Sequence, residues 1–83
     1  KLKRLAELGD ERAQYLLGLS YYAGKGIYLD EQEGFFWIKE AALGGLLEAK
    51  EYQRLLSISK KSPQSKAIEY LRSDYFSKQT FQN

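Results

Sequence analysis

"YYAGKGIYLDEQEGFFWIKEAALGG", residues 21–45, places two glycines between a tyrosine-rich segment and an amphipathic segment that carries the chain's only tryptophan. Glycine permits the positive φ that helix C-caps commonly adopt, so Gly24 and Gly26 predict that a helix ends there. Asp30, with Glu33 three residues later, has the spacing of a capping box and predicts the start of another helix. The stretch therefore predicts a turn between two antiparallel helices.

Helical spacing extends on both sides of this turn, and no segment has the pattern of a strand. Asp10 can cap a helix whose apolar positions Ala13, Leu17 and Tyr21 recur every four residues. After the turn, one face of the second helix collects small and apolar side chains: Gly34, Trp37, Ile38, Ala41 and Ala42. The pattern as a whole predicts helices near residues 2–8, 10–23, 31–43, 46–58 and 63–77.

The sequence also repeats internally. An offset of 36 residues places Ala6 on Ala42, Gly9 on Gly45 and Ala13 on Ala49, and beyond the turn an offset of 33 places Trp37 on Tyr70. This predicts one array over residues 1–83, which we expect to be part of a longer protein. Its predicted parts are the end of a preceding repeat's second helix (1–8), a full repeat (9–44), a degenerate capping repeat (45–78) and a tail (79–83). Asp74, at the position equivalent to Ala41, is the reason to expect that the array stops there.

Composition limits the possible functions. Eighty-three residues form at most one small domain. The chain has no Cys and no His, which excludes disulfides, thiolate or imidazole metal sites and His acid–base chemistry. We therefore expect no metal site and no cofactor. A net charge of +2 is too weak to indicate nucleic-acid binding, and no apolar run approaches the roughly 20 residues that insert across a membrane.

The spacing of glycine, alanine and aromatic residues resembles the Sel-one-like repeat, a relative of the tetratricopeptide repeat. The resemblance is close over residues 6–49 and loose over 50–76, and it departs from the family at Gly34, where alanine is usual. It rests on these residues: Gly9, Ala13, Gln14, Leu17, Gly18, Tyr21, Gly24, Gly26, Asp30, Trp37, Ala41, Ala42, Gly45 and Ala49. The resemblance implies an all-α fold, a right-handed α–α superhelix (solenoid) of antiparallel helix pairs, with about two repeats plus part of a preceding helix. It also implies a scaffold that binds proteins or peptides, without catalytic positions.

Most motif residues are expected to be structural. Gly18 and the alanines allow helix backbones to approach closely, while Tyr21 and Trp37 fill the space between layers. The alternative for Trp37 is that it anchors a ligand. The structural set comprises Gly18, Tyr21, Gly24, Gly26, Asp30, Trp37, Ala41 and Ala42.

Binding residues are expected on the helix face that the packing pattern does not use, which lines the concave groove in tetratricopeptide-like stacks. The predicted concave face comprises Arg12, Tyr15, Leu19, Tyr22, Glu48, Glu51, Leu55 and Ile58. Apolar side chains rimmed by charges suit an extended peptide or a partner helix. One alternative is that an upstream repeat covers part of this face. Another is that the partner binds the outer face, at Phe36 beside Leu43.

The predicted function is a non-catalytic scaffold or adaptor. The open pair Glu48 and Glu51 offers no enclosed pocket that would shift a pKa, so we do not expect an enzyme. One alternative is a regulatory or immunity-type inhibitor that masks an enzyme. Another is that the chain is the terminal cap of a longer array in which the upstream repeats bind the partner. The sequence contains no signal peptide, which slightly favours a cytoplasmic location. A signal peptide upstream of Lys1 would instead indicate the bacterial periplasm. The partner and the oligomeric state stay open.

Overall fold

The protein is all-α over the described residues. The computed structural model describes the backbone of residues 1–58 and 62–82 and the side chains of 1–58 and 62–72. These residues form five helices, in chain order α1 (Leu2–Glu7), α2 (Glu11–Ala23), α3 (Glu31–Leu43), α4 (Leu47–Ile58) and α5 (Pro63–Gln82). The prediction of an all-helical chain is confirmed, with starts and ends within two residues of those expected for the first four helices.

The C-terminal end differs from the expectation. The predicted end of the last helix near residue 77 is wrong, because α5 continues to Gln82. No Gly or Pro follows Pro63, so no residue in that segment favours a helix end. Asn83 and the side chain of Asp74 lie outside the described residues.

Local signals produce the helix starts and ends around residues 21–45. Asp10 accepts a hydrogen bond from the Ala13 amide at 3.0 Å, and Asp30 accepts one from the Glu33 amide at 3.2 Å. Gly24 ends α2 with φ 68° and ψ 32°, the left-handed conformation that favours glycine. The Asp30 amide then donates to the Tyr21 carbonyl at 3.0 Å, which ties the end of the loop back to α2.

The two short turns at residues 8–10 and 44–46 share one geometry. Each has a glycine with positive φ, Gly9 at 98° and Gly45 at 105°. Each also closes with two backbone hydrogen bonds whose partners are offset by 36 residues: Gly9 to Ala6 (3.0 Å) and Asp10 to Leu5 (3.1 Å), then Gly45 to Ala42 (3.0 Å) and Leu46 to Ala41 (3.1 Å). The internal repeat in the sequence is thus matched by a repeat in backbone structure at these turns.

Helices α2 and α3 cross closely at two glycines. A Cβ on Gly18 would lie 2.7 Å from Ile38 Cγ1 and 2.9 Å from the Gly34 carbonyl oxygen. Ile38 is fully buried, so it has little room to withdraw. The crossing therefore depends on the absence of a side chain at Gly18.

Helix α2 packs on two sides. One side meets α1 in a cluster formed by Ala6, Ala13, Leu17 and Tyr21, against which Leu2, Ile27 and Trp37 pack. The other side contributes Tyr15, Leu19 and Tyr22 to a larger cluster completed by Ile38, Ala41, Ala42, Ala49, Tyr52 and Ala67. Helix α2 is therefore the central element, and its apolar side chains point in nearly all directions.

The second helix pair does not copy the first. The positions equivalent to Gly18 and Gly34 are Arg54 and Ala67. A close helix crossing has no room for an arginine side chain, and Arg54 is exposed. Within the described residues, the backbone of α5 instead packs mainly against α2, while Tyr70 reaches α4 by a ring contact with Tyr52 at 5.0 Å between centroids.

Candidate functional site

The predicted concave face is largely covered. Tyr15, Leu19 and Tyr22 are 3%, 0% and 3% exposed, so the prediction that these side chains line an open groove is wrong. The physical reason is that α3, α4 and α5 pack over this side of α2. Tyr52 of α4 lies 5.8 Å from Tyr22 between ring centroids, and Ala67 of α5 belongs to the same cluster.

The remaining predicted residues form an exposed, mostly polar edge along α2 and α4. Arg12 Nη1 and Glu48 Oε2 are 3.1 Å apart, with side chains 30% and 50% exposed. Exposed ion pairs of this type contribute about 0–1 kcal/mol. Glu51 is exposed, Ile58 is 68% exposed and Leu55 is partly buried. The structure thus separates the predicted set into a buried apolar part and an exposed edge.

The buried tyrosines are held in their neutral form. Burial, with a smaller contribution from the Glu31 carboxylate, raises the pKa of Tyr22 to about 12. Burial also raises the pKa of Tyr52 well above its usual value, and the neighbouring tyrosines add to this. The Tyr52 hydroxyl donates a hydrogen bond to the Pro63 carbonyl at 3.1 Å. At neutral pH these hydroxyls stay protonated and act in packing and hydrogen bonding.

The structural set lies mainly at turns and in the two clusters. Gly26 has φ 75°, Ala41 and Ala42 are buried in the larger cluster, and Tyr21 is 9% exposed. Trp37 is partly buried against the α1–α2 cluster. Its indole Nε1 is buried and has no acceptor among the described residues.

The outer face of α3 is the main exposed aromatic surface in the described residues. Phe36 is 48% exposed, and its ring meets Trp37 edge to face with centroids 5.0 Å apart. Leu43, two helical turns later on the same side, is 74% exposed, and Phe35 at the flank is 49% exposed. We call Phe35, Phe36 and Leu43 the α3 surface. The alternative site predicted from the sequence comprised Phe36 and Leu43. It did not include Phe35, because this residue adjoins the packing face in the helical pattern.

A second feature is an open cavity of about 760 Å³ between the C-terminal part of α2 and α5, which we call the α2–α5 cavity. It could not be expected from the sequence, because it exists only when α5 packs against α2. The described residues that line it are Ser20, Ala23, Gly24, Lys25, Ile68, Leu71 and Arg72.

Metal ligands and membrane-spanning helices were also sought among the side chains at 1–58 and 62–72. These side chains bring no three potential metal ligands of the His, Cys, Asp or Glu type together. In that same part of the chain, no helix combines the length and apolar character needed to cross a membrane. Comparison with protein-family models, with characterised proteins and with solved structures gives no significant match for this chain.

Proposed function

We propose that the chain is a non-catalytic helical interaction module that binds a protein partner through the α3 surface. The observation that carries the proposal is the half-exposure of Phe35 and Phe36 on a helix whose opposite face is buried. Aromatic side chains are enriched at protein interfaces and dominate their binding energy. Phe36 is also oriented by its contact with Trp37, so less side-chain entropy is lost when a partner covers it.

We also propose that the fold is of the Sel-one-like repeat type, a right-handed α–α superhelix (solenoid). The matched hydrogen bonds of the two turns, 36 residues apart, support this. Equivalent alanines are buried in both copies, Ala6 with Ala42 and Ala13 with Ala49. Each helix pair of such an array completes its core by stacking on its neighbours.

The concave face is a less suitable site in this structure. A partner that used Tyr15, Leu19 and Tyr22 would first have to displace packed helices, because these side chains belong to the larger core cluster. The α3 surface needs no such rearrangement. Partner binding there leaves the core intact.

A photo-crosslinking experiment tests the proposal. A photoreactive phenylalanine at position 36 would be used to capture the partner from extracts of the source cells, with the same group at position 28 as control. Tyr28 suits this role because it is aromatic, 93% exposed and outside the α3 surface. A specific partner should be captured from position 36 alone.

Affinities measured with the purified partner then give the decisive comparison. Phe36→Ala should weaken binding by about 2 kcal/mol, or about thirtyfold, while Tyr28→Ala should change it less than about twofold. Circular dichroism would confirm that both variants are folded. Equal affinities for the wild type and Phe36→Ala would refute the site. Inhibition of a single captured enzyme by the chain would favour the inhibitor form of this function over the adaptor form.

A further inference from the structure

We infer that the α2–α5 cavity is a second binding site, which takes an acidic peptide segment carrying apolar side chains. The inference goes beyond the proposed function, since the cavity and the α3 surface have no residue in common.

The cavity has an apolar floor and a cationic rim. Ala23 of α2 and Ile68 and Leu71 of α5 supply the apolar surface, and Ile68 remains 43% exposed. Lys25 and Arg72 supply the charges, one from each side. None of the described side chains that line the cavity is acidic. The volume of about 760 Å³ falls within the roughly 300–1,000 Å³ that is usual for ligand sites.

Both polar groups of Ser20 already have partners. The Ser20 hydroxyl donates to the Leu16 carbonyl at 2.9 Å. The Ser20 carbonyl accepts from the amides of Gly24 at 2.8 Å and Lys25 at 3.1 Å. Lys25 and Arg72, in contrast, make no ion pair or side-chain hydrogen bond within the described residues. Both cationic side chains are therefore available to a ligand.

The charge balance favours an anion despite the nearby C-terminus of α2. The end of a helix carries roughly half a negative charge. Two side chains with a full positive charge outweigh it, and Arg72 can bind a carboxylate through two parallel hydrogen bonds. A nucleic acid would require a larger cluster of cations, and the net charge of the chain is only +2. The apolar floor favours a ligand that carries apolar side chains as well as negative charge, which a simple anion does not.

Fluorescence anisotropy with the full chain tests the inference. Three labelled peptides of equal length would be compared: one of leucine and glutamate, one with each glutamate replaced by glutamine, and one with each glutamate replaced by lysine. The wild type should bind the glutamate peptide about tenfold more tightly than the glutamine peptide, and the lysine peptide most weakly.

Charge-reversed variants locate the binding. Lys25→Glu with Arg72→Glu should remove the preference for the glutamate peptide. The control, Lys3→Glu with Arg4→Glu on α1, changes the net charge equally at exposed residues that do not line the cavity and should keep the preference. Lys25→Gln with Arg72→Gln is the milder replacement if charge reversal unfolds the chain. Ile68→Ser should weaken binding of the glutamate peptide by removing part of the floor.

Several results would overturn the inference. These are equal affinity of the wild type for the glutamate and glutamine peptides, no saturable binding of the glutamate peptide, and an equal loss in the control variant. Full affinity in Ile68→Ser would show that charge alone acts. Tighter binding of a single-stranded oligonucleotide, lost in Lys25→Gln with Arg72→Gln, would assign the site to phosphates. Phe36→Ala should leave peptide binding unchanged, so this test and that of the α3 surface can fail separately.

Discussion

Replacing Gly18 with alanine should destabilise the fold, although alanine is the better helix former. In an exposed helix the change from glycine to alanine stabilises by about 1 kcal/mol. At Gly18 the new methyl group would lie 2.7 Å from Ile38 Cγ1 and 2.9 Å from Ile38 Cδ1 and the Gly34 oxygen. Ile38 is fully buried and the oxygen belongs to the backbone, so relief requires the two helices to separate.

The opposing contributions give the expected size of the effect. Overpacking a well-packed contact costs about 1–3 kcal/mol, and a contact this short belongs at the upper end of that range. When the gain in helix propensity is subtracted from this cost, the free energy of unfolding should fall by about 1–2 kcal/mol. In a domain of this size, such a loss lowers the Tm by about 4–16 °C. Gly18→Leu adds three further carbons and should cost more.

Two other glycines provide matched controls for the alanine series. A Cβ on Gly34 would meet the Gly18 oxygen at 3.0 Å and Tyr22 ring atoms at 3.0 and 3.1 Å, so Gly34→Ala should cost less than Gly18→Ala. At Gly44, φ is −76° and the nearest atoms belong to the exposed Glu11 side chain, which can move away. Gly44→Ala should therefore leave the Tm unchanged within error. Thermal and urea unfolding followed by circular dichroism would measure all three. A Gly18→Ala variant as stable as the wild type would refute this account of the crossing.

Three further predictions concern buried polar and aromatic side chains. Burial raises the pKa of Tyr22 to about 12, above the value of about 10 in the unfolded chain; the unfolded state therefore releases this proton first. The free energy of unfolding should therefore keep its full value below pH 10 and fall as the pH rises toward 12. The fall should be shallower in Tyr22→Phe, and urea titrations at alkaline pH would measure both. Gln14 Nε2 donates to the Ala6 carbonyl at 3.1 Å in a buried position. Gln14→Ala should therefore cost about 1–2 kcal/mol, and an unchanged urea midpoint would contradict this. Tyr15→Ala with Tyr22→Ala removes two buried rings at about 3–5 kcal/mol each, so the double variant should lose its helical circular dichroism signal at room temperature.

The helix boundaries could be predicted because their signals are local. Asp10 and Asp30 each accept a hydrogen bond from an amide three residues later, and the sequence spacing alone indicates this. Gly24 and Gly26 adopt the positive φ that their position in the turn suggested. Each of these features involves only residues close together in the chain.

The exposed face could not be predicted in the same way, because it depends on where a distant helix packs. Tyr15, Leu19 and Tyr22 would line a groove only if α2 buried a single face. Its apolar side chains in fact surround the helix, and a helix that is apolar on all sides is typical of a central, buried position. This signal was present in the sequence, whereas the helix that covers the second face could not be identified from it.

The difference between the two helix pairs explains how α5 comes to cover α2. In the first pair, Gly18 and Gly34 allow the backbones of α2 and α3 to meet. In the second pair, Arg54 takes the position of Gly18 and its side chain is exposed, so this position has no equivalent of the glycine contact between α2 and α3. Ala67 of α5 instead lies fully buried in the cluster that contains Tyr15, Leu19 and Tyr22. The same packing that closes the predicted groove creates the α2–α5 cavity at its edge, so the loss of one candidate site and the presence of the other have a common structural cause.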